Sequence, residues 1–516
     1  MVNGKFAQPP SPGLRQIRKR ESKLKHSAYA LVRYNLHMLR LKVGDKALEV
    51  SDIFVDSRQV RPGSVFIAYK GAKVDSHNFI PQAIEKGAKY IIGERSLRQV
   101  RDLLGDFPHS NYIQVKSGRK TWADLEAQKY GYPQKKLKII GITGTDGKTT
   151  TAHFIYYILR KAGKKVGLLS TTGAYFGRKK VDTGAHVTTP PPDVIFRVLK
   201  EMVDAGIEYA ILETTSHGLA QDRVYGIKYE VSGVTNVTRE HLDLHKTFEN
   251  LLKDKARIFE MSKHVVMIES APGIKQILKY FPRKRQAGHN QKTTPQLHLI
   301  KNPEDVLDYK KLGKEFALKF PGRYNFYNAA LAAKIAELLG ADYNTIYKGL
   351  KSAKPPEGRF QRVKNGLGLS IVIDFAHTPN AVKDLLLAVR NIKKKGQRII
   401  VVFGSAGERD KEKRPEMGRV AAELADVVIL TLEDPRSEDP YDIALQMVRG
   451  KPDYPFIIQV DRTKAIELGL KLAKEGDWVL ILGKGHEDEM NIGGVEYPWS
   501  DLKAVKKALK KIAAGK

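Results

Sequence analysis

The sequence contains no cysteine, which excludes disulfide bonds, thiolate metal ligands and a cysteine nucleophile. It also lacks an apolar run of about 18 residues, the length that a membrane-spanning helix requires. Its longest apolar runs, such as 399–403 and 427–430, have the length of strands. No secretory leader is visible, because the basic residues 1–25 include no apolar stretch. We therefore expect a cytoplasmic protein.

Acidic residues are also scarce: 57 Asp and Glu stand against 89 Lys and Arg, for a formal net charge of +32. Such a balance can attract nucleic acid, an anionic membrane surface or anionic small substrates. The lysines are spread over the whole chain and are not interleaved with aromatic residues, as they would be in a single-strand binding groove. We interpret most of the charge as a solvated surface and expect neither a nucleic-acid partner nor integral membrane contact. A basic N-terminal arm over 1–45 is the exception and could contact an acidic surface.

The chain of 516 residues is 42% hydrophobic and 28% charged, which suits about three globular domains of roughly 150 residues each. Near-continuous apolar runs alternate with helix-period segments, and this pattern predicts an α/β fold with buried parallel sheets. A turn-rich link at Pro355, Pro356 and Gly358 predicts a boundary between two such sheets. We predict a small N-terminal α/β domain over 46–135, a central P-loop ATPase-like domain over 136–355 and a C-terminal Rossmann-like domain over 356–516.

Residues 143–150 (TGTDGKTT) follow one expected strand, 138–144, and open an expected helix. Glycines let such a loop fold tightly enough for successive N–H groups to point at phosphate oxygens. Lys148 can then reach the terminal phosphates, and the Thr149 hydroxyl can hold Mg²⁺. The loop is not a strict Walker A motif, because Ile142 occupies the first glycine position. The predicted phosphate-binding residues are Gly144, Thr145, Asp146, Gly147, Lys148, Thr149 and Thr150.

Other polar residues follow expected strands, where α/β sheets bind ligands. Glu213 ends one strand and can either hold Mg²⁺ opposite Thr149 or cap the next helix. His241 and His245 have a spacing seen in metal sites, although such pairs are more often structural. Further polar clusters follow the C-terminal strands at 374–379, 404–414, 433–436 and 483–487. Their common position predicts one site along a sheet edge.

These motifs occur in the order of the Mur ligases, and the chain resembles that family over about residues 50–500. The resemblance is carried by residues 143–150, 213–219, 235–245, 321–328, 374–379 and 483–487. Two more segments, 56–80 and 408–418, resemble the members that add the third residue of the cell-wall peptide.

The resemblance implies an ATP-dependent amide-bond ligase of peptidoglycan precursor synthesis, with Mg²⁺ as cofactor. ATP would phosphorylate the D-Glu side-chain carboxylate of UDP-MurNAc-L-Ala-D-Glu, and the amine of a diamino acid would displace the phosphate. The implied partners are these three substrates, and we expect a monomer. A ligase of the same fold acting on a related precursor, such as a pseudomurein-type peptide, is the alternative.

The resemblance also implies residue roles, with UDP in the N-terminal domain, ATP in the central domain and the amino acid in the C-terminal domain. The catalytic residues would be Lys148, Lys255, His217 and Glu213. The Mg²⁺ ligands would be Thr149, Glu213 and Lys255, the last as a carbamate. The nucleotide would also meet Asn325, Arg359, Asp374 and His377. The UDP-linked substrate would meet Ser57, Asp75, His77, Thr188, Thr189, Ser216, Gln221 and Arg223. The incoming amino acid would meet Arg414, Glu433, Asp434, Pro435, Arg436, Gly483 and Glu487.

Two departures from the family pattern bear on function. Asp146 stands where the family usually has Asn, and we expect its carboxylate to bond within the loop and face away from the phosphates. Residues 433–436 read EDPR, where the diaminopimelate-adding enzymes typically read DNPR. Arg436 could bind the distal carboxylate of meso-diaminopimelate through two parallel hydrogen bonds, whereas Glu433 and Asp434 could favour the cationic end of L-lysine. We expect meso-diaminopimelate.

Overall fold

The computed structural model describes residues 38–71, 74–177, 179–181, 183–184, 187–240, 242–282 and 294–514. Most of the predicted basic arm, and His241 of the predicted histidine pair, lie outside the described residues. Contacts divide the chain into two compact units, one up to Thr121 and one from Trp122 onward.

The first unit contains a two-stranded antiparallel hairpin and a parallel sheet of order β3-β4-β5-β6. Its strands are β1 (Leu39–Val43), β2 (Lys46–Val50), β3 (Ile53–Phe54), β4 (Val65–Ala68), β5 (Tyr90–Gly93) and β6 (Tyr112–Gln114). Its helices are α1 (Ile80–Glu85), α2 (Leu97–Leu104) and the start of α3 (Gly118–Lys129), with 3-10 turns at Ser76–Phe79 and His109–Asn111. Phe66, Ile91 and Val100 are among the buried residues of its core.

The second unit begins with an eight-stranded sheet of order β10-β9-β8-β11-β7-β12-β13-β14. Its strands are β7 (Lys138–Thr143), β8 (Val166–Ser170), β9 (Gly173–Phe176), β10 (Lys179–Val181), β11 (Tyr209–Glu213), β12 (Tyr229–Val234), β13 (Ser262–Ile268) and β14 (Gln296–Ile300). In the order of the sheet, β8, β11, β7, β12, β13 and β14 pair in parallel. Strands β9 and β10 add an antiparallel edge beside β8. The carboxyl ends of β7, β11 and β12 therefore meet at one edge, where the phosphate loop starts.

Nine α-helices accompany this sheet in the described residues, together with 3-10 turns at Pro133–Lys135, Leu278–Tyr280 and Pro303–Asp305. They are α4 (Lys148–Lys161), α5 (Pro192–Asp204), α6 (Ser216–Ala220), α7 (Leu242–His245), α8 (Phe248–Glu260), α9 (Ile274–Ile277), α10 (Tyr309–Lys319), α11 (Arg323–Leu338) and α12 (Tyr343–Ser352). Helix α10 is interrupted at Gly313, whose φ is 82°. Apolar side chains of α4 and α11, such as Phe154 and Leu331, are buried in the core of this sheet.

A second sheet in the same unit has the order β15-β16-β20-β17-β18-β19 and is parallel except at β15. Its strands are β15 (Gln361–Val363), β16 (Ser370–Asp374), β17 (Ile399–Phe403), β18 (Val427–Leu430), β19 (Ile457–Ile458) and β20 (Trp478–Leu482). A separate hairpin is formed by β21 (Glu489–Ile492) and β22 (Val495–Pro498). The accompanying helices are α13 (Pro379–Ile392), α14 (Lys413–Leu424), α15 (Pro440–Val448), α16 (Arg462–Leu472) and α17 (Asp501–Ala514).

The predicted α/β class with buried parallel sheets is confirmed. Strands with apolar side chains on both faces form the centres of the sheets, since helices cover both sides of a parallel sheet. The antiparallel strands β9 and β10 and the β21–β22 hairpin were not predicted, because none of them forms a long apolar run. No helix in the described part of the chain is long and apolar enough to cross a membrane.

Candidate active site

The phosphate loop lies between buried strand β7 and helix α4, and its two glycines are sterically required. Gly144 has a φ of 143°, and a Cβ there would overlap the Thr235 hydroxyl. Gly147 has a φ of 83°, and a Cβ there would overlap the Asn328 side chain. Only glycine adopts such φ values at low cost while leaving this space free.

The segment after β12 fixes the shape of this loop. Asn236 accepts the Thr145 N–H through its backbone oxygen at 3.0 Å and the Asp146 N–H through its Oδ1 at 3.0 Å. The Thr235 hydroxyl donates to the Asp146 backbone oxygen at 2.6 Å. Because β7 and β12 are paired neighbours, the loop and its support end at the same sheet edge.

Two lysines contact this loop, one near its end and one from a helix much later in the chain. Lys148 Nζ donates to the backbone oxygens of Gly144 at 3.1 Å and Thr145 at 2.7 Å. Lys255, on helix α8, donates to the same Gly144 oxygen at 2.8 Å and is only 2% exposed. Burial, together with the positive charge of Lys148, lowers the pKa of Lys255 to about 7. A large fraction of Lys255 is therefore an uncharged amine near neutral pH.

Thr149 and Glu213 meet beneath the loop, as the sequence predicts for an Mg²⁺ site. The Thr149 hydroxyl donates to Glu213 Oε1 at 2.8 Å, and the Thr171 N–H donates to Glu213 Oε2 at 2.9 Å. Arg359, from the link to the C-terminal sheet, lies 3.4 Å from the Thr149 hydroxyl. No cluster of three His, Asp or Glu residues suited to a metal occurs among the described residues. Any metal here would therefore rely on the hydroxyl, one carboxylate and other oxygen ligands.

A cavity of about 360 Å³ opens beside the loop, between the two sheets of the second unit. Its walls combine apolar and aromatic side chains with amides and charged groups, which suits a nucleoside. They include Asp146, Thr150, Phe320, Tyr324, Asn325, Asn328, Arg359, Phe360, Asp374, Phe375 and Asp384.

Three predicted nucleotide contacts of this cavity also stabilise its walls. Asn325 donates to the Pro321 backbone oxygen at 2.9 Å. Asp374 accepts the N–H groups of Phe360 and Ala376 at 2.6 and 2.8 Å. The guanidinium of Arg359 stacks over a phenylalanine ring at 4.6 Å, and its buried Nε has no hydrogen-bond partner within the described ranges. The Nε–H of Arg359 is therefore a donor that a ligand in this cavity could use.

Asp146 does not behave as expected. Its carboxylate lines the cavity and accepts no hydrogen bond from the loop or from any other residue that the structure describes, so the predicted inward orientation is wrong. Burial and the negative charge of Glu240 raise its pKa. The backbone N–H and C=O of Asp146 are occupied by Asn236 and Thr235, which leaves the side chain directed toward the ligand space.

A second cavity of about 160 Å³ lies at the carboxyl edge of the C-terminal sheet and shares Phe375 with the first. Its lining is dominated by ionisable groups of both signs. They are Arg239, Glu240, His377, Arg409, Asp410, Lys413, Glu433, Asp434, Arg436 and Glu487. We call it the amino-acid pocket, after the ligand that the sequence analysis predicts for several of these residues.

His377 lies at the side of the amino-acid pocket toward the phosphate loop. Its Nδ1 lies 2.8 Å from the Phe375 backbone oxygen, and its Nε2 lies 3.6 Å from Glu240. Although burial favours the neutral ring, the hydrogen bond with Glu240 raises the pKa of His377. Glu240 also acts electrostatically on Lys255 and Asp146, so the two cavities share one charge network.

The 433–436 loop of this pocket is held in an unusual conformation by the β21–β22 hairpin. Asp434 and Arg436 have positive φ values of 42° and 53°. The hairpin binds both residues: the Asn491 N–H donates to Asp434 Oδ1 at 3.0 Å, and the Arg436 N–H donates to the Asn491 backbone oxygen at 3.1 Å. Gly493 N–H also donates to the Arg436 backbone oxygen at 2.7 Å. The hairpin therefore fixes where the Arg436 side chain begins.

Arg414, a predicted amino-acid contact, is fully buried, and both of its terminal nitrogens bind protein groups. They donate to Glu438, to Gln446 Oε1 at 2.8 Å and to the Ala406 backbone oxygen at 3.0 Å. Arg409 of the same segment lines the pocket instead. The sequence reasoning also missed Arg239, Glu240 and Lys413 as pocket residues. Residues 239 and 240 stand inside the 235–245 motif that carries the family resemblance, and this position was the available signal.

Most residues predicted to hold the muramoyl peptide lie together at the carboxyl end of β11. Thr189 accepts the Thr215 N–H at 2.9 Å and donates to the Glu213 backbone oxygen at 2.9 Å. Arg223 donates to the Thr189 backbone oxygen at 2.6 Å and to Gln221 Oε1 at 2.7 Å. Thr188 accepts a hydrogen bond from the Thr171 hydroxyl at 3.0 Å, and the Thr171 N–H donates to Glu213.

Ser216, His245 and Asp254 form a Ser-His-Asp arrangement in which the serine and the histidine are buried. His245 Nε2 lies 3.0 Å from Ser216 Oγ, and its Nδ1 lies 2.8 Å from Asp254 Oδ2. The ring of His217 packs edge-on against His245 at 5.6 Å. His245 is therefore placed to orient the Ser216 hydroxyl, while its predicted partner His241 lies outside the described residues.

The predicted UDP contacts of the first unit are largely bound within that unit. Ser57 Oγ donates to Gln82 Oε1 at 2.6 Å. His77 is 1% exposed and lies between Asp75 Oδ1, at 2.6 Å from its Nδ1, and the Glu94 N–H, at 2.9 Å from its Nε2. Burial alone would raise the pKa of Asp75, but its bonds from His77 and Arg95 lower it. Asp75 and His77 therefore fix the shape of the turn in which they lie.

A P-loop at the end of a buried strand, joined to an ionised pocket on a second sheet, defines an enzyme that couples a nucleotide to other substrates. Residues 49–130, 142–336 and 358–485 match the Mur ligase family catalytic domain, the Mur ligase middle domain and the Mur ligase glutamate ligase domain. A UDP-N-acetylmuramoyl-L-alanyl-D-glutamate--2,6-diaminopimelate ligase of Clostridium perfringens is 39% identical over 461 residues, covering 86% of this chain and 92% of that protein. The chain belongs to the Mur ligase family, and it is a ligase.

Solved structures agree with this assignment. A UDP-N-acetylmuramoyl-L-alanyl-D-glutamate--2,6-diaminopimelate ligase matches with a TM-score of 0.58 and 26% identity, covering 92% of this chain and 98% of that one. The MurF ligase of Thermotoga maritima in complex with ADP matches with a TM-score of 0.54 and 20% identity, covering 90% and 98%. At that identity the second likeness shows the fold alone. The predicted family resemblance is confirmed.

Proposed function

We propose that this protein is an ATP-dependent ligase that joins meso-diaminopimelate to the D-glutamyl side chain of UDP-MurNAc-L-Ala-D-Glu in peptidoglycan precursor synthesis. The observation that carries the proposal is that one unit holds both a phosphate loop and an amino-acid pocket lined by groups of both charges. The activity printed for the Clostridium perfringens relative supports the same substrates.

ATP binds with its phosphates on the loop 144–150 and its nucleoside in the 360 Å³ cavity. Lys148 turns from the loop carbonyls to the phosphates, and Arg359 offers its open Nε. Hydroxyl and carboxylate oxygens suit Mg²⁺, and the 2.8 Å pair of Thr149 and Glu213 fits that requirement. Thr149, Glu213 and carbamylated Lys255 would hold Mg²⁺, which neutralises phosphate charge when bound.

Lys255 is suited to carbamylation because only the uncharged amine reacts with CO₂. With a pKa of about 7, its lone pair is available at neutral pH, whereas an ordinary lysine is almost wholly protonated. Its nitrogen forms a bond to the CO₂ carbon as one C=O double bond of CO₂ becomes a C–O⁻ single bond, and the nitrogen releases one proton to solvent. The product is a carbamate with an anionic oxygen ligand. The neighbouring Lys148 then offsets the new negative charge.

The reaction has two covalent steps. The D-Glu carboxylate attacks the terminal phosphorus, and the bond to the ADP oxygen breaks, which gives an acyl phosphate and ADP. The amine of the amino acid then attacks the acyl carbon; a C–N bond forms and the C–O bond to phosphate breaks. Positioning and the positive charges of Lys148 and Arg359 supply most of the catalysis.

Charge in the amino-acid pocket favours meso-diaminopimelate over L-lysine. The pocket presents four cationic side chains, Arg239, Arg409, Lys413 and Arg436, which is more than one carboxylate requires. A dicarboxylic amino acid has a second carboxylate, which can bind another of these cationic side chains. Arg409 therefore takes over the role that the sequence predicted for Arg414, while Glu433 remains available to an ammonium group through its unpartnered Oε2 among the described residues.

The remaining site, domain and location assignments are consistent with this function. We propose that Thr188, Thr189, Ser216, Gln221 and Arg223 hold the muramoyl peptide and that the first unit holds UDP. We also propose domain boundaries near 135 and 355, a monomeric enzyme and a cytoplasmic location.

The deciding experiment measures ATP-dependent phosphate release with UDP-MurNAc-L-Ala-D-Glu and Mg²⁺, with meso-diaminopimelate and L-lysine offered separately. We expect turnover with meso-diaminopimelate and at least about tenfold less with L-lysine, the equivalent of one lost charged hydrogen bond. Turnover with L-lysine alone would contradict the predicted selectivity. No turnover with either, in protein that binds ATP, would favour a related precursor such as a pseudomurein-type peptide.

A further inference from the structure

Helix α17 (Asp501–Ala514) is amphipathic and packs one face on the C-terminal sheet. Ala504, Val505 and Ala508 are buried in the core on that side of the sheet. On the opposite face, the exposed side chains longer than alanine are all lysines, at spacings of three and four residues. Such spacings place them on one stripe, about 12 Å long. We call it the lysine stripe, and it consists of Lys503, Lys506, Lys507, Lys510 and Lys511.

On several other helices of this protein, exposed lysines pair with an acidic residue one turn away. Lys200 lies 2.6 Å from Asp204 on α5, and Lys253 lies 2.9 Å from Glu249 on α8. Pairs of this kind neutralise a helix surface locally and stabilise the helix slightly.

The lysine stripe has almost no such compensation. Asp501, the acidic residue of α17, is fully buried and binds Arg462. Glu467 of α16 lies 2.9 Å from Lys511 and 2.6 Å from Lys471, so two lysines share one carboxylate. The other four lysines of the stripe have no ion-pair partner among the residues that the structure describes.

Like charges at these spacings destabilise the helix that carries them. Lys503 and Lys507 are four residues apart, as are Lys506 and Lys510, and two positive charges at that spacing repel each other across one turn. Lys503 also stands in the first turn, where the helix dipole disfavours a cation. An anionic partner would relieve both effects, whereas dissolved salt only screens them.

The ligands of the two cavities do not account for the stripe. None of its lysines lines the nucleotide cavity or the amino-acid pocket. The apolar face of α17 is already buried in the protein, so the helix cannot insert that face among lipid tails or into an apolar groove of a partner. A cationic helix surface is what remains for an interaction.

The residue types of the stripe select among anionic partners. It contains no arginine, whose planar fork binds phosphates in two parallel hydrogen bonds, and no aromatic side chain on which a base could stack. Lysine ammonium groups are compact, strongly hydrated and freely rotating, which suits a surface whose charges have no fixed arrangement. Clusters of about four to eight basic residues on an amphipathic helix are typical of binding to anionic lipid headgroups.

We propose that the lysine stripe docks this protein on the surface of an anionic phospholipid bilayer, with α17 lying along the headgroups. The contact is electrostatic and peripheral, because the stripe has no apolar residue that enters the lipid. It uses a face outside the two cavities and does not depend on the proposed function. Binding should rise with the fraction of anionic lipid. It should fall as salt shortens the screening length from about 10 Å at 0.1 M to about 3 Å at 1 M.

The test measures co-sedimentation of the full-length protein with vesicles in about 0.1 M salt. Phosphatidylcholine vesicles with about one-third phosphatidylglycerol should bind the wild type at least about tenfold more tightly than vesicles of phosphatidylcholine alone. The combined variant Lys503→Gln, Lys506→Gln, Lys507→Gln and Lys510→Gln should bind the anionic vesicles about 10²-fold or more less tightly, since each lysine at such a surface contributes about fivefold. Glutamine favours helices about as well as lysine, and circular dichroism checks that the variant is folded.

A matched control removes the same charge from separate elements. It combines four substitutions of exposed lysines, Lys228→Gln, Lys275→Gln, Lys348→Gln and Lys394→Gln. This control should bind the anionic vesicles within about threefold of wild type, because no cluster of charges is lost.

Three outcomes overturn the proposal. A wild type that does not bind the anionic vesicles lacks the docking surface. Equal weakening in the stripe variant and the control shows that net charge, rather than the stripe, attracts the membrane. Tighter binding of a duplex or single-stranded oligonucleotide than of the vesicles, lost in the stripe variant, identifies nucleic acid as the partner. A wild type that binds the vesicles as expected but ligates no amino acid contradicts the proposed function alone.

Discussion

The phosphate loop is held mainly by backbone atoms and two glycines, whereas the amino-acid pocket is built from ionised side chains on loops that need outside support. At the phosphate loop, Thr235 and Asn236 bind the backbone atoms of residues 145 and 146. In the amino-acid pocket, Asp434 and Arg436 have positive φ values and depend on the β21–β22 hairpin. The first arrangement specifies one kind of ligand, a phosphate. The second can be retuned residue by residue, which suits a pocket that selects among amino acids.

Loss of the Lys148 charge should have the largest effect. In Lys148→Ala we expect ATP-dependent turnover to fall at least about 10³-fold, because the loop backbone alone cannot neutralise the charge that develops on the transferred phosphoryl group. The measurement is phosphate release at saturating ATP. Lys161→Ala, at the exposed C-terminal end of the same helix, should retain normal turnover. Comparable activity in both variants would contradict the assignment of this loop.

A methyl group at Gly144 tests whether the loop depends on its backbone path. Gly144→Ala should weaken ATP binding by at least about 10²-fold, because the new Cβ collides with the Thr235 hydroxyl and the φ of 143° disfavours alanine. Binding is measured by titration with ATP. The matched control is Gly163→Ala, where φ is +73° but nothing lies within 4 Å. That variant should lose about 1 kcal/mol of stability and no ATP affinity.

Lys255 lies at the phosphate loop, but it is a buried ionisable side chain, like those that build the amino-acid pocket. Its pKa falls from 10.5 to about 7 on folding, so between these values the unfolded chain binds a proton that the native protein does not. The free energy of unfolding should therefore rise with pH across this window. In CO₂-free buffer, wild type should gain about 2 kcal/mol relative to Lys255→Met between pH 7 and pH 9. Parallel pH curves for the two proteins would show that Lys255 is not perturbed.

The sequence predicted the central strands because continuous apolar runs are local signals. The expected strand 138–144 corresponds to Lys138–Thr143, and the strand-length apolar runs 399–403 and 427–430 correspond to Ile399–Phe403 and Val427–Leu430. The phosphate loop could also be predicted from the sequence, since the residues expected to contact the phosphates are consecutive. The hairpin at 489–498 was missed, because its strands are short and exposed. Its role is to support the 433–436 loop, and this contact is not visible in the sequence.

The residues of the amino-acid pocket were harder to assign from sequence. Arg409 and Arg414 lie in one motif, and a pattern alone does not show which one faces the ligand. Glu408 has a φ of 53°, a conformation set by tertiary contacts, and the turn there places Arg409 in the pocket. The contact of Lys255 with Gly144 likewise joins positions 111 residues apart. Burial and pKa shifts of this kind arise only once the chain is folded.

The hairpin offers the finest test of the comparison, because it supports the amino-acid pocket without lining it. The Asn491 side chain closes the hairpin turn: its Nδ2 donates to Glu496 Oε1 at 2.6 Å and its Oδ1 accepts the Gly494 N–H at 3.2 Å. In Asn491→Ala we expect the KM for meso-diaminopimelate to rise about tenfold, since a loosened turn no longer fixes the Asp434 and Arg436 backbone; this corresponds to one hydrogen bond. The KM for ATP should not change.

Asn365→Ala provides the matched control for this variant. Asn365 also organises a turn with its side chain, accepting the Leu367 and Leu369 N–H groups at 3.0 and 3.2 Å, but that turn joins β15 to β16. Its loss should lower stability by about 1–2 kcal/mol without altering the KM for the amino acid. If both variants raise that KM equally, the pocket responds to general loosening of the C-terminal sheet. If only Asn491→Ala does, selection in this enzyme depends on backbone support supplied from outside the pocket, whereas phosphate binding carries its support within its own loop and the neighbouring strand.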